Sequence, residues 1–146
     1  MLYSTLSSLL FVALTSAAAI APVSEQTQVK RGGYAGCYSK SNNPDWMKKD
    51  VFSSGIDTVC GQLRGKPINP GGNLQISVGG LFLEDGRAAY FVGSVRNTGD
   101  FAYSVDYNYC RQRMAIIRDT CHGDHDDTYG GEWHDTIYVS ADTNAA

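Results

Sequence analysis

The residue types best suited to chemistry are concentrated in Cys121–Asp135, a segment that holds all three histidines of the chain and five carboxylates. Histidine and aspartate can bind zinc, and the polar residues from Asp124 onward partly match a calcium-binding loop. Such a loop has Gly at its sixth position and Glu at its twelfth. Here those positions hold Tyr129 and Asp135. The pattern favours a solvated acidic loop after a helix, so we predict no metal ion and no cofactor.

General acid–base catalysis is the next chemistry to consider. A small secreted ribonuclease needs a base and an acid on opposite sides of a phosphate, usually Glu and His, and an Arg that binds it. In this chain every histidine lies in one C-terminal segment, and the nucleophile motif Gly-x-Ser-x-Gly is absent. No spacing distinguishes a carboxylate pair for glycoside hydrolysis. The sequence favours a protein that is not an enzyme, with a ribonuclease or glycosidase as the weaker alternative.

Aromatic residues offer a third kind of chemistry, because their rings stack on the apolar faces of sugars while nearby polar groups bind sugar hydroxyls. The chain has nine tyrosines and two tryptophans. In a strand, His134, Thr136 and Tyr138 share the face opposite Ile137 and Val139. Ordinary packing on a half-buried strand explains Trp133 and Tyr138 equally well. We predict a glycan-binding site formed by Trp133, Tyr138, His134, Asp124 and Tyr129.

Alternating strands and helices are expected to position these residues. A short strand at 33–39 precedes a helix that starts at Asn43-Pro44-Asp45 and ends near Gly65. The segment 74–78 alternates apolar and polar residues, and a turn at 84–87 returns the chain as a partner strand at 88–95.

A second helix follows, capped by Ser104 and stopped by His122-Gly123. The last strand runs through Trp133 and Val139, and a polar tail follows Ser140. We predict an α+β fold in which two helices pack on one face of a four-stranded antiparallel sheet. This βαββαβ sandwich has a ferredoxin-like arrangement as its simplest case.

Four cysteines, at positions 37, 60, 110 and 121, predict two disulfides in a small exported domain without a Cys-x-x-Cys pair. Cys110 and Cys121 lie on one predicted helix, about 16 Å apart, whereas a disulfide needs Cα atoms within about 7 Å. Antiparallel helices favour Cys60–Cys110 and leave Cys37–Cys121. The alternative pairing, Cys37–Cys110 with Cys60–Cys121, stays open.

The N-terminus has the pattern of a secretory signal peptide: an uncharged apolar run to Leu14, then small residues to Ala19. This run is shorter than the roughly 20 apolar residues that span a membrane. A polar stretch then ends in Lys30-Arg31, a dibasic pair of the kind that furin- or kexin-type proteases cleave. We predict a signal peptide at 1–19, a propeptide at 20–31 and a secreted, extracellular mature domain at 32–146.

The charge of the mature domain limits its partners. Removing Glu25, Lys30 and Arg31 from the chain's 15 acidic and 12 basic residues leaves 14 and 10, a net charge of −4. A nucleic-acid-binding protein normally has a basic patch, so we expect no nucleic-acid partner. No second apolar segment occurs, so we expect no membrane span.

Several short motifs together resemble a family of small secreted fungal glycan-binding proteins, first known from a mushroom lectin-like protein. These motifs are Gly36-Cys-Tyr-Ser39, Cys60-Gly-Gln-Leu-Arg-Gly65, Cys110-x3-Met114-x2-Ile117-x3-Cys121, Gly130-Gly-x-Trp133 and Ala141-Asp-x-Asn144. The resemblance implies a secreted α/β sandwich that binds a glycan or a cell-surface glycoprotein, in some members with antiviral or cytotoxic effect.

The order of elements also resembles smut-type killer toxins, although these carry more cysteines. This second resemblance implies a secreted toxin or host-directed effector that acts on a protein or membrane target of a host or competitor. Glycan binding is the function that the sequence favours, and the toxin or effector is its alternative.

Overall fold

The computed structural model of the protein describes residues 32–38 and 45–146 and shows an α+β fold built on a five-stranded antiparallel sheet. In chain order the elements are β1 (Tyr34–Cys37), β2 (Met47–Lys48), α1 (Lys49–Leu63), β3 (Pro67–Ile68), β4 (Asn73–Phe82), β5 (Ala88–Asn97), β6 (Tyr103–Ser104), α2 (Tyr107–Thr120), β7 (Asp127–Thr128), β8 (Gly130–His134) and β9 (Ile137–Ala145). Two further sheets have two strands each, β2 with β7 and β3 with β6.

The main sheet has the strand order β1-β8-β9-β5-β4. Its β4–β5 hairpin forms where the alternation of apolar and polar residues predicts it. Phe91 on β5 packs edge-on against Phe52 of α1, and a side chain at Gly93 would meet Val59 of α1 and Met114 of α2. Both helices therefore cover the same face of the sheet, and the opposite face is open.

The segment predicted as one last strand and a polar tail is instead the hairpin of β8 and β9, so the sheet has five strands where four are predicted. β9 pairs with β5 from Ile137 to Ala145 and lies in the middle of the sheet. Its polar residues look like a tail in the sequence because Asp142 and Asn144 point to the open face. β1 lies at one edge, whereas the first strand of a ferredoxin-like sheet is internal.

The first helix begins later than the sequence predicts. Of the expected cap, Asn43 and Pro44 lie outside the described residues, and α1 begins at Lys49. Asp45 does not join the first turn. Its carboxylate lies 3.0 Å from Arg87 Nη2 and accepts a 2.8 Å hydrogen bond from Ala145 N. Asp45 thus joins the β4–β5 turn to the end of β9.

The second helix is capped by a different residue from the one predicted. The Asp106 carboxylate accepts a 2.7 Å hydrogen bond from Tyr109 N, which is the usual N-cap contact. Ser104 instead pairs with Pro67 in a small sheet, and its hydroxyl donates to Gly65 O at 3.2 Å.

Two disulfides connect the helices to the rest of the domain, Cys60–Cys110 and Cys37–Cys121, which is the pairing that the antiparallel helices favour. The first joins the end of α1 to the start of α2, and the second joins β1 to the residue after α2. The predicted apolar faces are buried: Phe52, Ile56, Val59, Cys60 and Leu63 on α1, with Cys110, Met114 and Ile117 on α2.

No helix in the part of the chain that the structure describes is long and apolar enough to cross a membrane. The predicted signal peptide, the propeptide and the Lys30-Arg31 cleavage site lie outside the described residues.

Candidate functional site

The open face of the sheet carries an aromatic cluster at the β1, β8 and β9 end. Tyr34 pairs with His134 in register, and the two rings stack with centroids 4.8 Å apart and planes 10° from parallel. The His134 ring in turn meets Tyr138 edge to face at 5.2 Å. Tyr34 is 64% exposed, so one face of this ring stack is accessible to a ligand.

Glu132 connects the polar groups of this cluster. Its Oε2 lies 3.2 Å from Nε2 of His134, and its carboxylate also acts on the phenols of Tyr38 and Tyr138. Burial, followed by the negative charge of Glu132, raises the pKa of Tyr38 far above its usual range. Burial and the interaction with Glu132 also raise the pKa of Tyr138. Both phenols therefore stay protonated to a higher pH than a free tyrosine.

A cleft of about 550 Å³ begins beside the stacked rings. Three segments form it: the chain entering β1, the loop 98–101 that follows β5, and the turn between β8 and β9. Its lining residues are Gly32, Gly33, Tyr34, Thr98, Gly99, Asp100, Phe101, His134, Asp135 and Thr136. Tyr34 and His134 belong both to the cleft and to the aromatic cluster.

A buried asparagine holds the loop 98–101 in place. The Asn97 side-chain amide donates to Ile68 O at 3.0 Å and to Phe101 O at 2.7 Å, and its oxygen accepts from Gly99 N at 3.0 Å. Because these contacts satisfy an amide that is only 1% exposed, the loop has one favoured conformation.

The loop is also bound directly to the β8–β9 turn. Thr98 donates twice to Thr136 O, from its backbone N at 2.9 Å and from its hydroxyl at 2.8 Å. A side chain at Gly99 would meet the Thr136 methyl at 2.8 Å, so the two loops approach too closely for any residue but glycine. Two walls of the cleft are therefore fixed relative to each other.

The cleft combines exposed rings with acidic groups. Phe101 is 86% exposed, and Asp100 forms no hydrogen bond or ion pair with any residue that the structure describes. Asp135 accepts a 2.7 Å hydrogen bond from Thr136 N through one carboxylate oxygen. Among the described cleft-lining residues there is no lysine or arginine. Such a site can stack an apolar surface and accept hydrogen bonds from hydroxyl or ammonium groups.

Two of the five predicted glycan-binding residues, His134 and Tyr138, lie in the aromatic cluster. Trp133 does not, because it faces the core opposite them, next to Val139, and is 7% exposed. Its indole packs against the Arg113 guanidinium, which lies 4.4 Å from the ring centroid. A ligand has no access to this ring.

Tyr129 is also buried, at 6% exposure, with its ring edge-on to Trp46 at 4.8 Å. Asp124 is exposed but lies in the loop after α2, outside the cleft lining. We therefore leave Trp133, Tyr129 and Asp124 out of the proposed site.

Sequence reasoning missed Tyr34, Phe101, Asp100, Asp135 and Glu132. Strand alternation could have found Glu132, since it lies two residues before His134 and so shares its face. No local sequence pattern indicates that the loop after β5 meets the β8–β9 turn, because that contact depends on the order of the strands in the sheet.

The histidine-rich segment does not gather into a metal site. Within residues 32–38 and 45–146, no three His, Cys, Asp or Glu side chains come together in a position to hold a metal ion. His122 turns its Nδ1 to Gly123 O at 2.6 Å, and His134 contacts Glu132 in the aromatic cluster.

A comparison with models of known protein families finds no match, and a comparison with curated proteins finds no significant relative.

Proposed function

We propose that the protein is a secreted glycan-binding protein and that the cleft beside Tyr34 is its sugar-binding site. The observation that carries this proposal is the stacked pair of Tyr34 and His134, together with exposed Phe101, beside the carboxylates of Asp100 and Asp135. Sugars present apolar C–H faces that stack on rings and hydroxyls that donate to carboxylates.

The dimensions of the cleft agree with a small saccharide as ligand. Sites for small molecules enclose about 300–1,000 Å³, with apolar walls and a few polar groups that fix orientation. The cleft has about 550 Å³, and its walls are fixed by Asn97 and Thr98 before any ligand binds. A preformed site loses less conformational entropy on binding.

Two features support secretion. The chain has two disulfides in the described residues, and these persist in oxidising compartments. Its N-terminal sequence has the signal-peptide pattern. The partner that follows is a glycan, free or on a cell-surface glycoprotein.

The geometry of Glu132 and His134 does not favour acid–base catalysis. Glu132 and His134 contact each other directly at 3.2 Å, whereas cleavage of a phosphodiester or glycosidic bond requires groups on both sides of the reacting atom. The pair instead orients the His134 ring that stacks on Tyr34.

A glycan array with the domain 32–146 tests the proposal, followed by affinity measurements on the best ligand. We expect Tyr34→Ala and Phe101→Ala to weaken binding about tenfold each, since a stacking contact contributes about 1–1.5 kcal/mol. Phe82→Ala is the matched control, because Phe82 is 60% exposed on β4, away from the cleft.

Two results would contradict the proposal. One is equal loss of affinity in the Phe82 control and the cleft variants. The other is no binding to any glycan combined with growth inhibition or necrosis of target cells, which would favour the secreted toxin or effector.

A further inference from the structure

We infer that cleavage after Arg31 adds a positive charge to the cleft, because it creates an α-ammonium group on Gly32, which lines the cleft together with Asp100 and Asp135. Its effect on sugar binding rests on the proposed function, and the cleavage rests on the predicted dibasic site. The placement of Gly32 rests on the structure alone.

The position of Gly32 is determined by its neighbour. A Cβ on Gly33 would lie 2.5 Å from the Trp133 indole, so the Gly33 backbone packs directly on that ring. The indole is itself fixed, since it is 7% exposed and stacked on Arg113. The chain therefore leaves the buried core at one defined point, and the next residue toward the N-terminus is Gly32.

Gly32 is one of the residues that line the cleft, and open space surrounds it. A Cβ added to it would have no neighbour within 4 Å, and the residue is exposed. In the uncut precursor the backbone nitrogen of Gly32 is a neutral amide that joins the residue to the predicted propeptide 20–31.

The charges of the cleft favour a cation there. Asp100 and Asp135 line it without a lysine or arginine among the described lining residues, and His134 is held by Glu132. Asp100 has no partner in the described part of the chain. A free α-amino group has an ordinary pKa of about 7.7–8.0 and is largely cationic at neutral pH. A cleft that two carboxylates line favours the cationic form of this group.

Processing then has two effects on one site. It removes the propeptide that is joined to Gly32, and it adds a hydrogen-bond donor to a cleft that two carboxylates line. The mature protein is expected to bind glycan, and the precursor is expected to bind it weakly.

The first test needs no sugar. The unmodified α-amine of the domain 32–146 is titrated by NMR through the ¹³Cα shift of Gly32 in ¹³C-labelled protein. We expect it to titrate above the ordinary range of about 7.7–8.0. The double variant Asp100→Asn/Asp135→Asn should return it to that range.

The control for this titration is Glu84→Gln, an exposed carboxylate at the opposite end of β5, which should leave the α-amine unchanged. An α-amine that titrates in the ordinary range, or that the double variant does not move, would overturn the inference.

The second test compares the mature domain with the uncleavable precursor Lys30→Gln/Arg31→Gln, which keeps residues 20–31. Against the glycan that the mature domain binds best, we expect at least a tenfold weaker affinity for the precursor. Equal affinity would overturn the inference and leave the proposed function intact. If the mature domain binds no glycan, the proposed function fails and the titration decides the inference.

Discussion

Glu132 connects the polar groups of the aromatic cluster: it contacts His134, and burial together with the Glu132 charge raises the pKa values of Tyr38 and Tyr138. The phenols of Tyr38 and Tyr138 have pKa values raised above the ordinary value of 10.0, so the folded protein keeps protons there that the unfolded chain loses first. This contribution to stability is fully present below about pH 10 and is lost as pH rises through the folded-state pKa values.

We therefore expect the free energy of unfolding to fall above about pH 10, and to fall less steeply in the variant Tyr38→Phe/Tyr138→Phe. Urea unfolding at a series of pH values between 8 and about 11 measures this slope. An identical slope in the double variant and the wild type would show that these two phenols are not responsible.

Arg113 is a second residue with a specific role, because its guanidinium lies between two rings, 4.8 Å from Tyr109 and 4.4 Å from Trp133. We expect Arg113→Ala to lower the free energy of unfolding by about 1–2 kcal/mol, as a partly desolvated cation–π contact is lost. Thermal or urea unfolding measures the change.

Arg111→Ala is the matched control on the same helix. Arg111 pairs with Asp57 at 2.6 Å, but both side chains are about half exposed, so its loss should cost well under about 1 kcal/mol. A larger loss of stability for Arg111→Ala than for Arg113→Ala would contradict the role assigned to the contacts of Arg113 with the rings of Tyr109 and Trp133.

At the scale of elements, both disulfides are expected to stabilise the fold, but only one of them is expected to support binding at the cleft. Cys60–Cys110 closes a 50-residue separation between the helices, and Cys37–Cys121 closes 84 residues and fixes β1, which carries Tyr34. Either double Cys→Ala variant should lose about 2–4 kcal/mol of stability.

Only the Cys37→Ala/Cys121→Ala variant should also weaken binding at the cleft, because it releases the strand that holds Tyr34 and Gly33. Unfolding curves and glycan affinity, measured on the same samples below the unfolding transition, check both effects. Equal affinities in the two variants would show that β1 keeps its place without the disulfide.

Element prediction succeeded where a pattern is local. The buried faces of both helices and the β4–β5 hairpin follow from the spacing of apolar residues, because each of these patterns lies within one continuous segment of the chain. It failed at the start of α1, where Asp45 bonds to Arg87 and Ala145, far away in sequence. It also failed for β9, whose alternating small and polar residues have no strong apolar signal although the strand lies in the middle of the sheet.

At the scale of the whole molecule, the predicted maturation fixes the mass of the product. We expect secreted material to begin at Gly32 and to carry two disulfides, four mass units below the fully reduced chain. Intact mass spectrometry with and without reduction measures both. A secreted product that retains residues 20–31 would refute cleavage at Lys30-Arg31.

The candidate site shows why function was harder to predict than fold. His134 and Tyr138 were found because one strand face carries them. Phe101 and Asp135 were not, because the β5 and β8–β9 loops meet only once β9 has taken its place between β5 and β8. Trp133 was misplaced although it is the neighbour of His134 in β8, because successive side chains of a strand point to opposite faces and only one of the two can lie on the open face.

The central position of β9 also governs the order in which the molecule can assemble. Because β9 follows every other strand of the main sheet in the chain, it is synthesised after them, and until then β5 has a free edge and β1 has no route into the sheet. Strand β1 must wait about 100 residues of synthesis for β8, a matter of several seconds at 5–20 residues per second. The nascent chain is therefore expected to need protection by chaperones until β9 has been synthesised.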